Sequence, residues 1–310
     1  MRVIVTGGAG FIGSNLVFEI LARQPEAKIH VVDDFSSASF KNLTGFNGDV
    51  IARPCEELNW ETQFGPLDHS AQKVTAIYHL ASITDTTVTN QREMVERNVE
   101  GFRNVLRYAL KRGIRVVYAS SGATYGQADG VMREDQPPAP ANVYGFSKMI
   151  LDNLAREAAA MSNLPITGVR YFNVYGPREA HKGKMASMVY QLYSQMAGGE
   201  RPRVFKEGQH KRDFVYVKDA VAGTLLAGQC ERPGVFNIGS GTAFSFNEVI
   251  ACLNTELATS LEPEYIDNPY EAFYQHHTEA DLTRSREALG YQPQWLPAAG
   301  IKDYVGWLKG

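Results

Sequence analysis

A tyrosine and a lysine four residues apart, in Tyr144-Gly145-Phe146-Ser147-Lys148, are the pair in this sequence best suited to moving a proton. On a helix, residues i and i+4 share a face, so both side chains can point at one ligand. A free phenol titrates near ~10 and is a poor base at neutral pH. A nearby ammonium favours the phenolate. Bringing the phenol down to ~7 takes roughly 4 kcal/mol, which two close cations can supply where water is scarce. Ser121, in the run Ser120-Ser121-Gly122-Ala123, is placed to hydrogen-bond the same oxygen.

A second constellation supplies a partner for that chemistry. Gly7, Gly10 and Gly13 follow a short apolar run and open a helical pattern through Phe11 and Ile12. The first glycine permits a tight turn, the second lets backbone approach a pyrophosphate, and the third lets helix pack on strand. The anion then meets free N–H groups and the positive end of a helix dipole. Asp33 ends the second apolar run 20 residues after Gly13, where a carboxylate accepts hydrogen bonds from an adenosine ribose. A nicotinamide dinucleotide, NAD or NADP, is the expected cofactor. Its oxidised ring is the second cation that Tyr144 needs, and it takes hydride from the carbon whose hydroxyl proton Tyr144 removes. Asp34 adds negative charge where a 2′-phosphate would lie, which tilts the expectation towards NAD; Lys41 is the nearest counter-charge in sequence.

These residues need a scaffold that brings strand ends together. Arg2–Thr6, Ile29–Val32, Val50–Ala52, Ala76–His79, Arg115–Ala119 and Ile166–Arg170 read as strands. Phe11–Arg23, Gln91–Arg112 and Val143–Ser162 read as helices between them. Val- and Ile-rich strands alternating with helices imply a parallel sheet covered on both faces, the doubly wound Rossmann-type α/β fold. After about residue 170 the rhythm breaks, with helices expected near Met185–Ala197 and Leu296–Lys309. The expected division is a dinucleotide-binding domain over 1–170 and a smaller α/β substrate lobe over 171–310, with the chain crossing between them more than once.

Composition narrows the partners. The 310 residues are 44% apolar and 21% charged, enough for a sizeable core in a soluble protein. A net charge of −3 gives no electrostatic reason to expect nucleic acid or an anionic membrane. Cys55, Cys230 and Cys252 are far apart and odd in number, which suggests neither a disulfide framework nor a metal site. With no signal-peptide pattern at Met1–Gly7 and no long apolar run, a cytoplasmic location is expected.

The glycine turn, Asp33, Ser121, Tyr144 and Lys148 together resemble the extended short-chain dehydrogenase/reductase superfamily, over essentially the whole chain. The resemblance implies that Asn98 and Val174 contact the cofactor and that Leu80-Ala81-Ser82 passes beneath it. Members that dehydrate sugars carry an acidic pair after the catalytic serine or threonine; Gly122-Ala123 stand there, so dehydration is not implied. The run Arg170 to Arg178 resembles the substrate loop of sugar-nucleotide enzymes, in which Asn173 touches the sugar diphosphate.

Glu179 to Ser187, Lys211 to Val217, and Phe273-Tyr274-Gln275 before Thr278 to Leu282 resemble the ADP-L-glycero-D-manno-heptose 6-epimerase family. Enzymes of that family oxidise a carbinol carbon and return hydride to the opposite face. Inversion of that kind needs a proton-transfer group on each side of the carbon, and the resemblance assigns these to Tyr144 and Lys182. Pairing of Lys182 with a substrate phosphate is the alternative. Lys184, Gln191, Phe205, Arg212 and Tyr274 are implied on the substrate side, with Arg212 as diphosphate clamp, Asp213 orienting it and Asp219 capping a helix. A UDP-hexose 4-epimerase or a net dehydrogenase are the rival readings. The resemblance also implies a homo-oligomer.

Overall fold

Apolar runs of β-branched residues cannot satisfy their backbone alone, and in the computed structural model they do so side by side. The structure describes residues 1–69, 73–85, 90–128, 130–268 and 275–310. Its strands in chain order are β1 (Arg2–Thr6), β2 (Lys28–Val32), β3 (Asp49–Ile51), β4 (Ala76–His79), β5 (Arg115–Ser121), β6 (Gly130–Met132) and β7 (Ile166–Tyr171). There follow β8 (Asn173–Tyr175), β9 (Arg203–Phe205), β10 (Lys211–Tyr216), β11 (Gly234–Ile238), β12 (Ala243–Ser245), β13 (Glu264–Ile266) and β14 (Thr278–Ala280).

Seven of them form one sheet in the order β11-β7-β5-β4-β1-β2-β3. All its pairings are parallel. From β1 the chain runs outward through β2 and β3, then returns to β4 on the other side. The crevice between the C-terminal ends of β1 and β4 is therefore the switch point, where ligands bind in open α/β sheets. Alternation along β1 feeds two cores. Val3 and Val5 pack with Leu16, Val17 and Ile20 on one face. Ile4 joins Ile77, Phe102, Val105 and Leu151 on the other.

The seventh strand, β11, comes from beyond residue 170, and β6 leaves the first half to pair with β14. Sequence on both sides of that position thus builds the central sheet and the β14-β6 pair. The remaining strands form a three-stranded sheet β12-β10-β8 and a pair β13-β9. The single helix expected over Gln91–Arg112 is instead an α-helix Gln91–Val95, a π-helical turn Glu96–Glu100 and an α-helix Gly101–Arg112. Such turns insert one residue per bulge and re-aim side chains, often at functional sites.

Asp213 knits the smaller lobe together rather than orienting Arg212. Its fully buried carboxylate accepts from Ser240 N and Oγ at 2.6 and 2.8 Å, Gly241 N at 2.9 Å and Ala280 N at 3.0 Å. Asp219 likewise holds Gln294 N and Trp295 N, at 2.9 and 2.8 Å, instead of capping its own helix. In each case the closest donors are backbone amides brought from distant sequence. Asp213→Ala strands several buried donors at once, so equilibrium urea unfolding should show a loss of roughly 3–5 kcal/mol; a loss below ~1 kcal/mol would contradict this role.

Candidate active site

A cavity of about 670 Å³ opens at the switch point, and the glycine turn forms its floor. Gly7 sits at φ +67°, and a Cβ there would lie 2.6 Å from Ala81 N. A Cβ on Gly13 would lie 2.0 Å from Gly7 O. Only glycine fits either position. Gly10 caps the helix Phe11–Arg23 without any side-chain bond. The first-turn N–H groups, which have no partner within a helix, remain for an anion. Phe11, Ile12 and Gly13 all line the cavity. This cradle fits a dinucleotide pyrophosphate.

Asp33 closes β2 at 7% exposure, accepting from Ala9 N and Phe35 N at 2.9 Å each. Burial raises its pKa, and those amide bonds oppose the rise. Asp34 is braced by Ser36 N at 2.9 Å and Ser36 Oγ at 2.7 Å, and is ion-paired to Arg97. Burial acts upward on Asp34, but the Ser36 bonds and Arg97 outweigh it and hold the carboxyl low. The expected counter-charge, Lys41, lies exposed in the short helical turn Phe40–Leu43 and does not line the cavity. Arg97 takes that place because the π-helical turn carries it there from 63 positions away.

Asn98, on the same turn, is 1% exposed. Its carbonyl accepts from Ile83 N at 2.8 Å, while its amide donates to Ile83 O at 3.1 Å and Ser147 Oγ at 3.0 Å. It therefore ties the end of β4 to the helix carrying Tyr144. Leu80, Ala81 and Ser82 line the cavity beside Asn98, with Leu80 N and Ala81 N both donating to Thr6 Oγ1 at 3.2 Å. His79 also lines the cavity, a residue the sequence reading passed over. Its Nδ1 pairs with Thr6 Oγ1 at 2.8 Å, and burial beside Lys148 drives its pKa down to about 3. It stays neutral at physiological pH.

Tyr144 and Lys148 lie on the helix Val143–Ser162, whose N-cap Asn142 accepts from Gly145 N at 2.8 Å. Both line the cavity with Ser121. Lys148 is 1% exposed and donates to Ala119 O at 2.9 Å, with its ammonium 5.7 Å from the Tyr144 ring centroid. Burial raises the Tyr144 pKa, opposed by its bond with Ser121, and the same burial lowers Lys148 to about 7. Burial thus acts against the charged form of each group, and Asp152 opposes it at Lys148.

The loop after β8 reaches the cavity because it is fastened to the glycine-turn helix. Asn15 Nδ2 donates to Pro177 O at 2.9 Å, Arg178 Nη1 to Asn15 Oδ1 at 3.2 Å, and buried Asn42 to Arg178 O at 3.2 Å. Glu179, with no exposure, accepts from Gly176 N, Ser187 N and Ser187 Oγ at 3.0, 2.6 and 2.8 Å. These ties bring Lys182 to 5.8 Å from the Phe11 ring centroid, in the cavity wall with His181 and Val174. Burial lowers the Lys182 pKa, and Glu179 opposes the fall.

Among the described residues, the other expected substrate residues are not in this wall. Asn173 and Lys184 are exposed, and Gln191 spends its amide on Ala186 O at 2.7 Å and Lys184 O at 3.2 Å, so it holds the loop. Phe205 lies in β9, and Arg212 is 8% exposed in β10, donating to Lys211 O at 2.8 Å. Tyr274 and Phe273 lie outside the described residues. The fastening roles of Asn15, Asn42 and Glu179 escaped the sequence reading because nothing local marks an asparagine or glutamate as a fastener. Among the described residues no cluster of three or more His, Cys, Asp or Glu is arranged for a metal, and no helix is long and apolar enough to cross a membrane.

Residues 3–239 match the NAD dependent epimerase/dehydratase family. The chain belongs to that family. It is an NAD-dependent epimerase, in a group whose neighbours work on sugar nucleotides. The fold is similar to that of Helicobacter pylori ADP-L-glycero-D-manno-heptose-6-epimerase, with 35% identity, coverage of 100% of this chain and 96% of that one, and a TM-score of 0.91. Thermotoga maritima UDP-glucose 4-epimerase, solved with UDP-glucose, is 29% identical over 100% of this chain and 99% of its own, with a TM-score of 0.89. Bacillus cereus UDP-glucuronic acid 4-epimerase, solved with NAD, shares the fold at 24% identity over 100% of both chains and a TM-score of 0.85.

The lowered Lys148 pKa has a consequence for stability. Between its folded value of about 7 and the usual lysine value of 10.5, the unfolded chain holds a proton that the folded chain does not. Stability must therefore rise with pH across that window and be flat below it. In protein without dinucleotide, the stability of wild type relative to Lys148→Met should increase by up to ~2 kcal/mol from pH 7 to about pH 9. Urea unfolding at the two pH values checks it; an unchanged difference would mean that Lys148 keeps its proton.

Proposed function

We propose that this epimerase inverts the carbinol centre at carbon 6 of an ADP-glycero-manno-heptose. The observation that carries the reading is Lys182: a partly buried amine with lowered proton affinity, in the wall of the cavity that also holds Tyr144. A desolvated lysine can donate or accept a proton near neutral pH.

Bound in the cradle, the nicotinamide supplies hydride transfer from the carbinol carbon and back. Tyr144 takes or returns the hydroxyl proton on one side of that carbon, steadied by Ser121. Lys148 stands beside its ring, anchored to Ala119 O, and its protonated form would favour the phenolate. Lys182 handles the proton on the opposite side. Gly122 and Ala123, directly after Ser121, leave no carboxyl to drive loss of water, which supports epimerisation over dehydration. The likeness of residues 179–187 and 211–217 to the heptose epimerases supports the choice of sugar.

A UDP-hexose 4-epimerase would turn its sugar about the diphosphate and leave Lys182 without a chemical role. Purified protein incubated separately with ADP-heptose and UDP-galactose, without added cofactor, should invert only the first by NMR. Lys182→Ala should lower turnover on ADP-heptose by ~10²–10⁴-fold, with dinucleotide affinity retained. Inversion of UDP-galactose alone, or full activity of the lysine variant, would overturn the reading.

A further inference from the structure

The helix that carries Tyr144 and Lys148 holds a third ionisable group, outside the cavity wall, that hydride and proton transfer do not touch. Tyr144, Lys148 and Asp152 follow at intervals of four along Val143–Ser162, so they share one face. Asp152 is buried. Its Oδ1 accepts from Tyr118 Oη of β5 at 3.0 Å, and its Oδ2 accepts from Arg170 Nε and Nη2 of β7 at 3.2 and 2.9 Å. Arg170 is buried too, its guanidinium carbon 4.7 Å from the Tyr125 ring centroid. Tyr125 Oη in turn donates to Asn237 Oδ1 of β11 at 2.6 Å, and Asn237 Nδ2 donates to Met132 O of β6 at 2.9 Å. Four strands thus fix the carboxylate.

A buried ion pair is a weak stabiliser, since apolar side chains of similar volume often fill such a space as well or better. Its position one turn from Lys148 gives this pair another use. Lys148 donates to the neutral Ala119 O, which brings no charge. The titratable groups facing Lys148 are Tyr144 and Asp152 on its own helix and, on β4, His79, which is neutral at physiological pH. Tyr118 and Arg170 stand behind the carboxylate. Burial pushes the Lys148 ammonium down to about 7, and Asp152 opposes the fall.

We propose that Asp152 is a positioning residue for the redox pair: fixed by Tyr118 and Arg170, it is the buried counter-charge that keeps Lys148 an ammonium beside Tyr144. The inference goes beyond the choice of sugar and holds whichever nucleotide sugar is inverted. Arg170 fastens the carboxylate and is also a rival cation, so the two roles must be separated by experiment.

The test is carbon-13 NMR of the intact protein labelled at the lysine ε-carbons, the Lys148 signal being the one lost in Lys148→Met. In wild type this signal should titrate near 7. Asp152→Asn keeps the size of the side chain and removes its charge, and should move the midpoint roughly one pH unit or more lower. Asp152→Asn combined with Arg170→Gln removes both charges, and its midpoint should still lie below that of wild type. A merely structural ion pair predicts no movement in a folded Asp152→Asn protein, and that result overturns the proposal. Return of the paired variant to the wild-type midpoint also overturns it, because Asp152 would then act only by masking Arg170. If Asp152→Asn does not fold, the paired variant, which leaves no buried charge uncompensated, decides by the same comparison with wild type.

Discussion

Desolvation of a phenol and an amine in one small space is the condition on which the rest of this site depends. Tyr144 and Lys148 share a helix face; Lys148 is fully buried and Tyr144 half-buried, and burial disfavours the charged form of each. A cationic ring held in the cradle would favour the phenolate. The surrounding hydrogen bonds serve that arrangement: Ala119 O fixes the amine, Ser121 meets the phenol, and Asn98 joins β4 to the helix through Ser147.

The second wall of the cavity comes from elsewhere in the chain. Residues 176–187 are fastened to the first helix by Asn15 and Asn42, and their interior is organised by the buried Glu179. Lys182 is thereby set near Phe11, the residue that opens that helix. The glycine turn thus has two duties. It leaves N–H groups for an anion, and its helix is the platform on which the second amine rests.

At the far end, charge pairing takes over from desolvation. Arg97, Asp34 and Glu56 neutralise one another only in part, and they meet because the π-helical turn departs from regular helix. A straight helix over Gln91–Arg112 would aim residues 97 and 98 differently. The irregularity is what lets one turn serve both the charge cluster and the anchoring of β4.

Much of the fold was legible because it rests on local rules. Val- and Ile-rich runs and the helical stretches between them marked six of the seven strands β1–β7, all but β6, and the helices Phe11–Arg23 and Val143–Ser162. The glycine spacing, Asp33 and the Tyr144–Lys148 interval determined a dinucleotide cradle with a proton-transfer pair, since i,i+4 geometry and glycine sterics need no distant partner. Tertiary structure alone decided the return of β11 to the sheet edge, the clamp of Asp213 on Ser240 and Ala280, and the choice of Arg97 over Lys41 at Asp34. It also decided how deeply Lys148 is buried. Each of these depends on which groups meet across long stretches of chain and how much water they lose there, and neither quantity is written in neighbouring residues.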